Sequence, residues 1–237
     1  MTETREQTGP FLRRIYFEAS EIEALCSEAL MRARLLPATP GPVRIDRFVE
    51  KFFRAEVRAV AMDSGSMGAI RFNEAGQVLA VYVSEEVEND ATDHGRRRFR
   101  STVAHEAGHG LLHGRLFAEK LLNDEAQRDL GIVSSGDDVR YEGFVSQGEI
   151  VDNPGRRYSW WEFQANMAMS CLLLPWKLVT AAAEPFRDMY AGVAPAARDA
   201  VVELAANRLS ETFDVNPVMI RFRLKNWWKE ALQLSLL

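Results

Sequence analysis

Within nine residues this chain carries three of its four histidines, His105, His109 and His113. The first two enclose a glutamate in the pentad His105-Glu106-Ala107-Gly108-His109, an HExxH sequence. On a helix, positions four apart share a face, so both imidazoles can reach a single metal ion. The pentad has chemical meaning only on such a helix, and only if another element brings a third ligand to the same point. Catalytic zinc takes three protein ligands and keeps one position open. Glu106 falls beside that position and is assigned as general base, taking a proton from water and returning it to the leaving amine of a cleaved amide.

The third ligand is expected from the stretch Ser159–Pro175, in which Glu162 is the only charged residue. Apolar nearly all round, this segment predicts a buried helix, where a lone carboxylate is costly unless a cation meets it. The competing reading is an exposed glutamate favoured by the helix dipole. Asn166, one turn on, can hold Glu162 or a ligand imidazole by a hydrogen bond, and Ala165 is small enough to let two helices approach. Gly108 and Gly110 each cost a helix about 1 kcal/mol relative to alanine, so another backbone, a strand or a bound peptide, is expected close to both. His113 reads either as a support for the site or as a satisfied core histidine. Tyr158 and His113 are candidates for stabilising an oxyanion, and His94 reads as surface.

Charge narrows the function classes. Twenty-nine Lys and Arg against 34 Asp and Glu give a net charge of −5, the opposite of the balance a nucleic-acid binder carries. The tail from Ala191 to Leu237 holds six basic and five acidic residues, so its helix-turn-helix-like spacing is poorly suited to DNA and better suited to docking on protein. Leu224, Trp227, Trp228 and Ala231 form a packing stripe there. The run Arg96–Arg98 with Arg100 reads as a solvated face. Cys26 and Cys171 belong to no CxxC pair and read as small buried groups. With no apolar leader and no run of membrane-spanning length, the reading is a cytoplasmic protein.

The pattern predicts an α+β fold. Residues 1–17 read as a mobile leader, followed by a helix from Ser20 with a Ser20/Glu23 capping box and a break at Pro37. A short helix is expected over 45–53 and strands over 56–62, 68–72 and 77–84, mostly antiparallel, with a hairpin turn at Asn73–Gly76. The HExxH helix is expected from about Arg96, a polar irregular stretch over 114–158, a helix over 159–174, and helices over 195–212 and 217–234. This divides the chain into a leader and helix (1–40), a metallopeptidase domain (41–177) with a possible lid at 115–158, and a C-terminal helical module (178–237).

Three segments resemble the ImmA/IrrE-type zinc metallopeptidases: Arg98-Phe-Arg-Ser-Thr-Val-Ala-His-Glu-Ala-Gly-His-Gly-Leu-Leu-His113, Glu162-Phe-Gln-Ala-Asn166 running to Leu-Leu-Leu-Pro175, and Phe213-Asp-Val-Asn-Pro217 with Arg223-Leu224. The resemblance spans roughly residues 42–226. It implies a zincin-like domain binding Zn²⁺ through His105, His109 and Glu162. It also implies an endopeptidase acting on a protein substrate, a helix-turn-helix repressor, and so regulating transcription of stress or mobile-element genes. The 53 positions between His109 and Glu162 and the first 40 residues depart from the family pattern. Two other readings stand beside it: a non-catalytic regulator that binds a repressor or DNA with zinc structural, and a zinc hydrolase of a small amide.

Overall fold

Two short strands, β1 (Thr2–Thr4) and β2 (Arg14–Tyr16), pair antiparallel ahead of helix α1 (Ala19–Ala33). Helix α2 (Ile45–Phe48) continues as a π-helical turn over Val49–Phe53. Then come β3 (Glu56–Val60), β4 (Ser66–Phe72), β5 (Val78–Ser84), α3 (Glu85–Glu88), α4 (Asp93–Leu112) and α5 (Gly114–Asp129). Strand β6 (Val145–Gln147), α6 (Trp160–Leu173), α7 (Trp176–Gly192), a 3₁₀ turn (Pro195–Ala197) and α8 (Arg198–Phe213) complete the order. Residues 217–224 are helical. This computed structural model describes residues 2–4, 11, 13–62, 65–129, 145–147 and 160–224. No helix among them is long and apolar enough to cross a membrane.

The fold is mixed α+β, with strand order β3-β5-β4-β6 in one sheet. The Asn73–Gly76 turn joins β4 and β5 antiparallel; Asn73 Oδ1 accepts from the backbone of Ala75 and Gln77, and Gly76 takes φ +74°. β3 crosses over to pair parallel with the far side of β5, so the sheet is mixed. Within the run Val-Leu-Ala-Val-Tyr-Val, Val78, Ala80, Val81 and Val83 are buried and Leu79 is exposed, so β5 is an inner strand covered on both faces over most of its length.

Helix α4 lies between the sheet and α6. It begins at Asp93, a turn earlier than its apolar pattern suggests, because Thr92 caps it by accepting from Gly95 N–H at 3.0 Å. A Cβ on Gly108 would sit 2.9 Å from the Ala165 carbonyl and 3.0 Å from Ala168 Cβ, so α6 approaches through this notch. Gly110 meets side chains instead of a backbone: its Cβ would lie 2.8 Å from the Phe53 ring and 2.9 Å from Val78.

Several expectations are corrected. The segment before α1 is not a mobile leader along its whole length, since Phe11 and Ile15 are 2% and 4% exposed and the Phe11 ring meets Phe117, Trp160 and Trp161. α1 is capped by Glu18 and Glu21, not by Ser20 and Glu23; Glu23 accepts from Arg223 and from the Trp176 backbone. The helix joins the common core, where Cys26 and Cys171 are free and buried. The polar stretch after Gly114 opens as a helix, with Leu116 and Phe117 buried and Phe117 stacked on Phe72 at 4.5 Å. The rest of the stretch expected as a lid lies, apart from β6, outside the described residues. Pro175 ends α6 but also caps α7, a helix that the sequence pattern did not reveal.

The arginine run is a solvated face only in part: Arg96 is exposed, while Arg97 and Arg100 are largely covered. Arg96 and Arg97 bond the Asp214 carboxylate, and Arg100 donates to the Asp214 carbonyl at 2.9 Å. Asp214 ends α8 in the left-handed region, φ 51°, so the guanidinium groups also meet the negative end of that helix. Val202, Ala206, Leu209, Phe213, Ile220 and Leu224 are buried in the same core. His94 is exposed. Trp227, Trp228, Ala231 and the rest of the expected last helix lie outside the described residues.

Candidate metal centre

Helical periodicity turns His105 and His109 of α4, with His113 just past its end, toward α6, and all three are buried there, while Glu106 is buried on the neighbouring face. Glu162 sits in the first turn of α6, brought across by the contact of Gly108 with Ala165. Its carboxylate comes within 3.1 Å of His105 Nε2 through one oxygen and 3.6 Å of His109 Nε2 through the other. The two Nε2 atoms are 3.1 Å apart. One ligand atom from each of His105, His109 and Glu162 can be chosen so that all lie within 4.8 Å of one another, a group that could hold a metal ion.

The spacings can be tested against a metal. Zinc–nitrogen and zinc–oxygen bonds of about 2.0–2.1 Å in tetrahedral geometry require ligand atoms about 3.3–3.4 Å apart. The 3.1 Å between the two Nε2 atoms is near that edge, and Glu162 turns a different oxygen to each imidazole, at 3.1 Å from His105 and 3.6 Å from His109. Two imidazoles and a carboxylate are also the donor types zinc accepts.

Electrostatics prepare the ligands. Burial alone would raise the Glu162 carboxyl, but hydrogen bonds to His105 and His109 outweigh it and hold the group well below the usual carboxylate range. Burial is the largest single influence on His105 and pulls it down, but the hydrogen bond to Glu162, the charges of Glu106 and Glu162 and the contact with Asn166 together outweigh it, and its pKa is raised. His109 is pushed down to about 4, chiefly by burial, which keeps a lone pair available for a metal. Asn166 Oδ1 lies 3.0 Å from His105 Nδ1, the contact that leaves His105 Nε2 facing Glu162 and His109.

Glu106 is fully buried on the same helix, against β4. Gly68 makes room for it: a Cβ there would sit 2.9 Å from Glu106 Oε1 and 2.5 Å from Thr102 Cγ2. Gly68 was missed in the sequence, although an isolated glycine in a strand pattern signals close approach. Gln164 was missed too. It stands between Glu162 and Asn166 in an otherwise largely apolar helix, and its side chain bridges His113 Nε2 at 3.0 Å and the Ile15 carbonyl at 2.9 Å. His113 Nδ1 lies 2.9 Å from His109 Nδ1. With both ring nitrogens engaged in the interior, His113 is not placed to stabilise an oxyanion; Tyr158 lies outside the described residues. A cavity of about 300 Å³ lined by Asp46, Glu50, Glu56, Glu88 and Phe99 among others touches none of the metal-site residues. No protein-family model matches the chain, and no curated protein matches it in sequence.

Proposed function

We propose that this protein is a zinc-dependent endopeptidase of the ImmA/IrrE type, with a zincin-like fold, that hydrolyses a peptide bond in a protein substrate. The observation that carries this reading is the convergence of His105, His109 and Glu162, one ligand atom from each within 4.8 Å of the others, with Glu106 between the two histidines in sequence. Among the described residues the group has three protein ligands, which favours an open fourth position, whereas a structural zinc site closes with four. That argues against the reading in which zinc is only structural.

When bound, Zn²⁺ acts as a Lewis acid on the scissile carbonyl and lowers the pKa of water to about 7. His105 and His109 would hold it as neutral imidazoles and Glu162 as a carboxylate. Asn166 orients the His105 ring. Glu106 takes the proton of the attacking water and delivers it to the departing amine nitrogen, so that one carboxylate serves both halves of the reaction. Its burial at 0% exposure excludes bulk water from the proton it holds.

The substrate proposed is a helix-turn-helix repressor, whose cleavage would release transcription, with zinc as cofactor and a cytoplasmic setting. The C-terminal helices, bound through Asp214 to the zinc-bearing helix, are proposed to dock protein and not DNA. The test is metal analysis and hydrolysis of a helix-turn-helix repressor by wild type and Glu106→Gln. Stoichiometric zinc in both with cleavage by wild type alone supports the reading; equal cleavage, or no zinc in either, overturns it.

A further inference from the structure

Four groups run in a line from the proposed metal position to the N-terminal strand: His109, His113, Gln164 and the Ile15 carbonyl of β2. His109 Nδ1 and His113 Nδ1 are 2.9 Å apart, His113 Nε2 and Gln164 Oε1 are 3.0 Å apart, and Gln164 Nε2 donates to Ile15 O at 2.9 Å. Ile15, Gln164, His113 and His109 are all buried, so water does not take the place of any partner. The Trp160 ring stands edge-on to His113, 5.9 Å away at 82°, and holds the imidazole plane.

The direction of this line is set at its far end. A backbone carbonyl can only accept, so Gln164 must turn its NH₂ toward Ile15 and its oxygen toward His113. That oxygen only accepts, so His113 must carry its hydrogen on Nε2. A neutral buried imidazole with hydrogen on Nε2 has a lone pair on Nδ1, which accepts from His109 Nδ1–H. His109 is then left with its lone pair on Nε2, the atom that faces His105 and Glu162. The opposite polarity would put hydrogen on His109 Nε2 and block ligation.

We infer that His113 and Gln164 are positioning residues that preset the His109 tautomer for metal, and that the N-terminal strand, through the Ile15 carbonyl, sets the polarity of the relay. This rests on the reading of His105, His109 and Glu162 as metal ligands. Outer partners of ligand histidines typically contribute 10–100-fold in metal affinity, and Gln164 acts here through one intervening histidine.

The test uses the full-length, chelator-treated protein. Long-range proton–nitrogen NMR of the imidazoles at neutral pH reads each tautomer directly. The expectation is hydrogen on Nε2 of His113 and on Nδ1 of His109 before metal is added. In Gln164→Met, His113 should lose its single tautomer and zinc affinity, measured by chelator competition, should fall about 10-fold or more. Wild type with hydrogen on Nδ1 of His113 overturns the relay, as does a Gln164→Met protein with unchanged tautomers and affinity. Should that variant not fold, the wild-type spectrum alone decides. A wild type that shows the expected tautomers but takes up no zinc overturns the metal reading, and with it the role assigned to the relay.

Discussion

Gly68 of β4 lies directly against Glu106 of α4, so close that a Cβ on Gly68 would stand 2.9 Å from the glutamate's Oε1. The same atom would meet Thr102 Cγ2 at 2.5 Å and the Tyr82 carbonyl at 3.2 Å, and the carbonyl belongs to the neighbouring strand and cannot swing aside. Gly68→Ala should therefore push α4 or the Glu106 side chain out of place, costing about 1–3 kcal/mol by overpacking and reducing hydrolysis while zinc content is kept. Urea denaturation alongside a turnover assay measures both; wild-type values in each would show that the strand yields freely.

Glu106→Gln preserves shape and removes the proton acceptor. Zinc content should stay stoichiometric while peptide hydrolysis falls by about 10²–10⁴-fold, the range general acid–base groups contribute. A variant retaining more than a tenth of the activity would assign proton transfer to another group.

Glu162→Ala removes the only carboxylate among the three proposed ligands. Zinc affinity should fall by at least about 100-fold, more than a change outside the ligand sphere costs. Chelator treatment of wild type should abolish hydrolysis, and added zinc should restore it in wild type but not at matched concentration in the variant. Chelator competition followed by metal analysis gives the answer; unaltered affinity would remove Glu162 from the site.

Acid should destabilise the metal-free protein. Burial holds His109 at about 4 and His113 at about 3, against about 6.5 in an unfolded chain. Between pH 6.5 and about 4 the unfolded state therefore binds more protons, and stability falls with pH by on the order of 1 kcal/mol per unit for each histidine. His105, whose pKa is raised, has its effect above 6.5, where stability declines as pH rises through its folded value. Urea midpoints measured from pH 8 to pH 4.5 should peak near neutrality, and a profile that improves toward pH 5 would contradict the burial of His109 and His113 as neutral rings.

Asp214→Ala leaves Arg96, Arg97 and Arg100 facing the end of α8 without their shared carboxylate. Part of this cluster is solvated, so the expected cost is about 1–2 kcal/mol in global stability. Zinc uptake should be unchanged, because the contact lies at the other end of α4 from His109. Thermal unfolding with metal analysis tests it; intact stability would make the arginine cluster a surface feature after all.

Much of the site was legible because it rests on short-range geometry. An HExxH on a helix puts two imidazoles on one face whatever the rest of the chain does, and an acid in an apolar helix announces a partner. The α+β order and the Asn73–Gly76 hairpin arise from local periodicity and turn chemistry in the same way. What local pattern could not carry is contact between distant segments. Whether Arg96, Arg97 and Arg100 face water or Asp214 depends on where α8 ends in space. Ile15 and Phe11 look like leader residues until α6 and α5 cover them. β3 pairs in parallel with β5 across a crossover that no local pattern encodes.

His105, Glu106, His109 and Glu162 were thus nameable from residue type and spacing alone, since those chemistries tolerate few other arrangements. The support around them, Gly68 beneath Glu106 and Gln164 behind His113, belongs to the folded molecule. A missing Cβ and one amide acquire meaning only when chain segments dozens of residues apart are packed to within 3 Å.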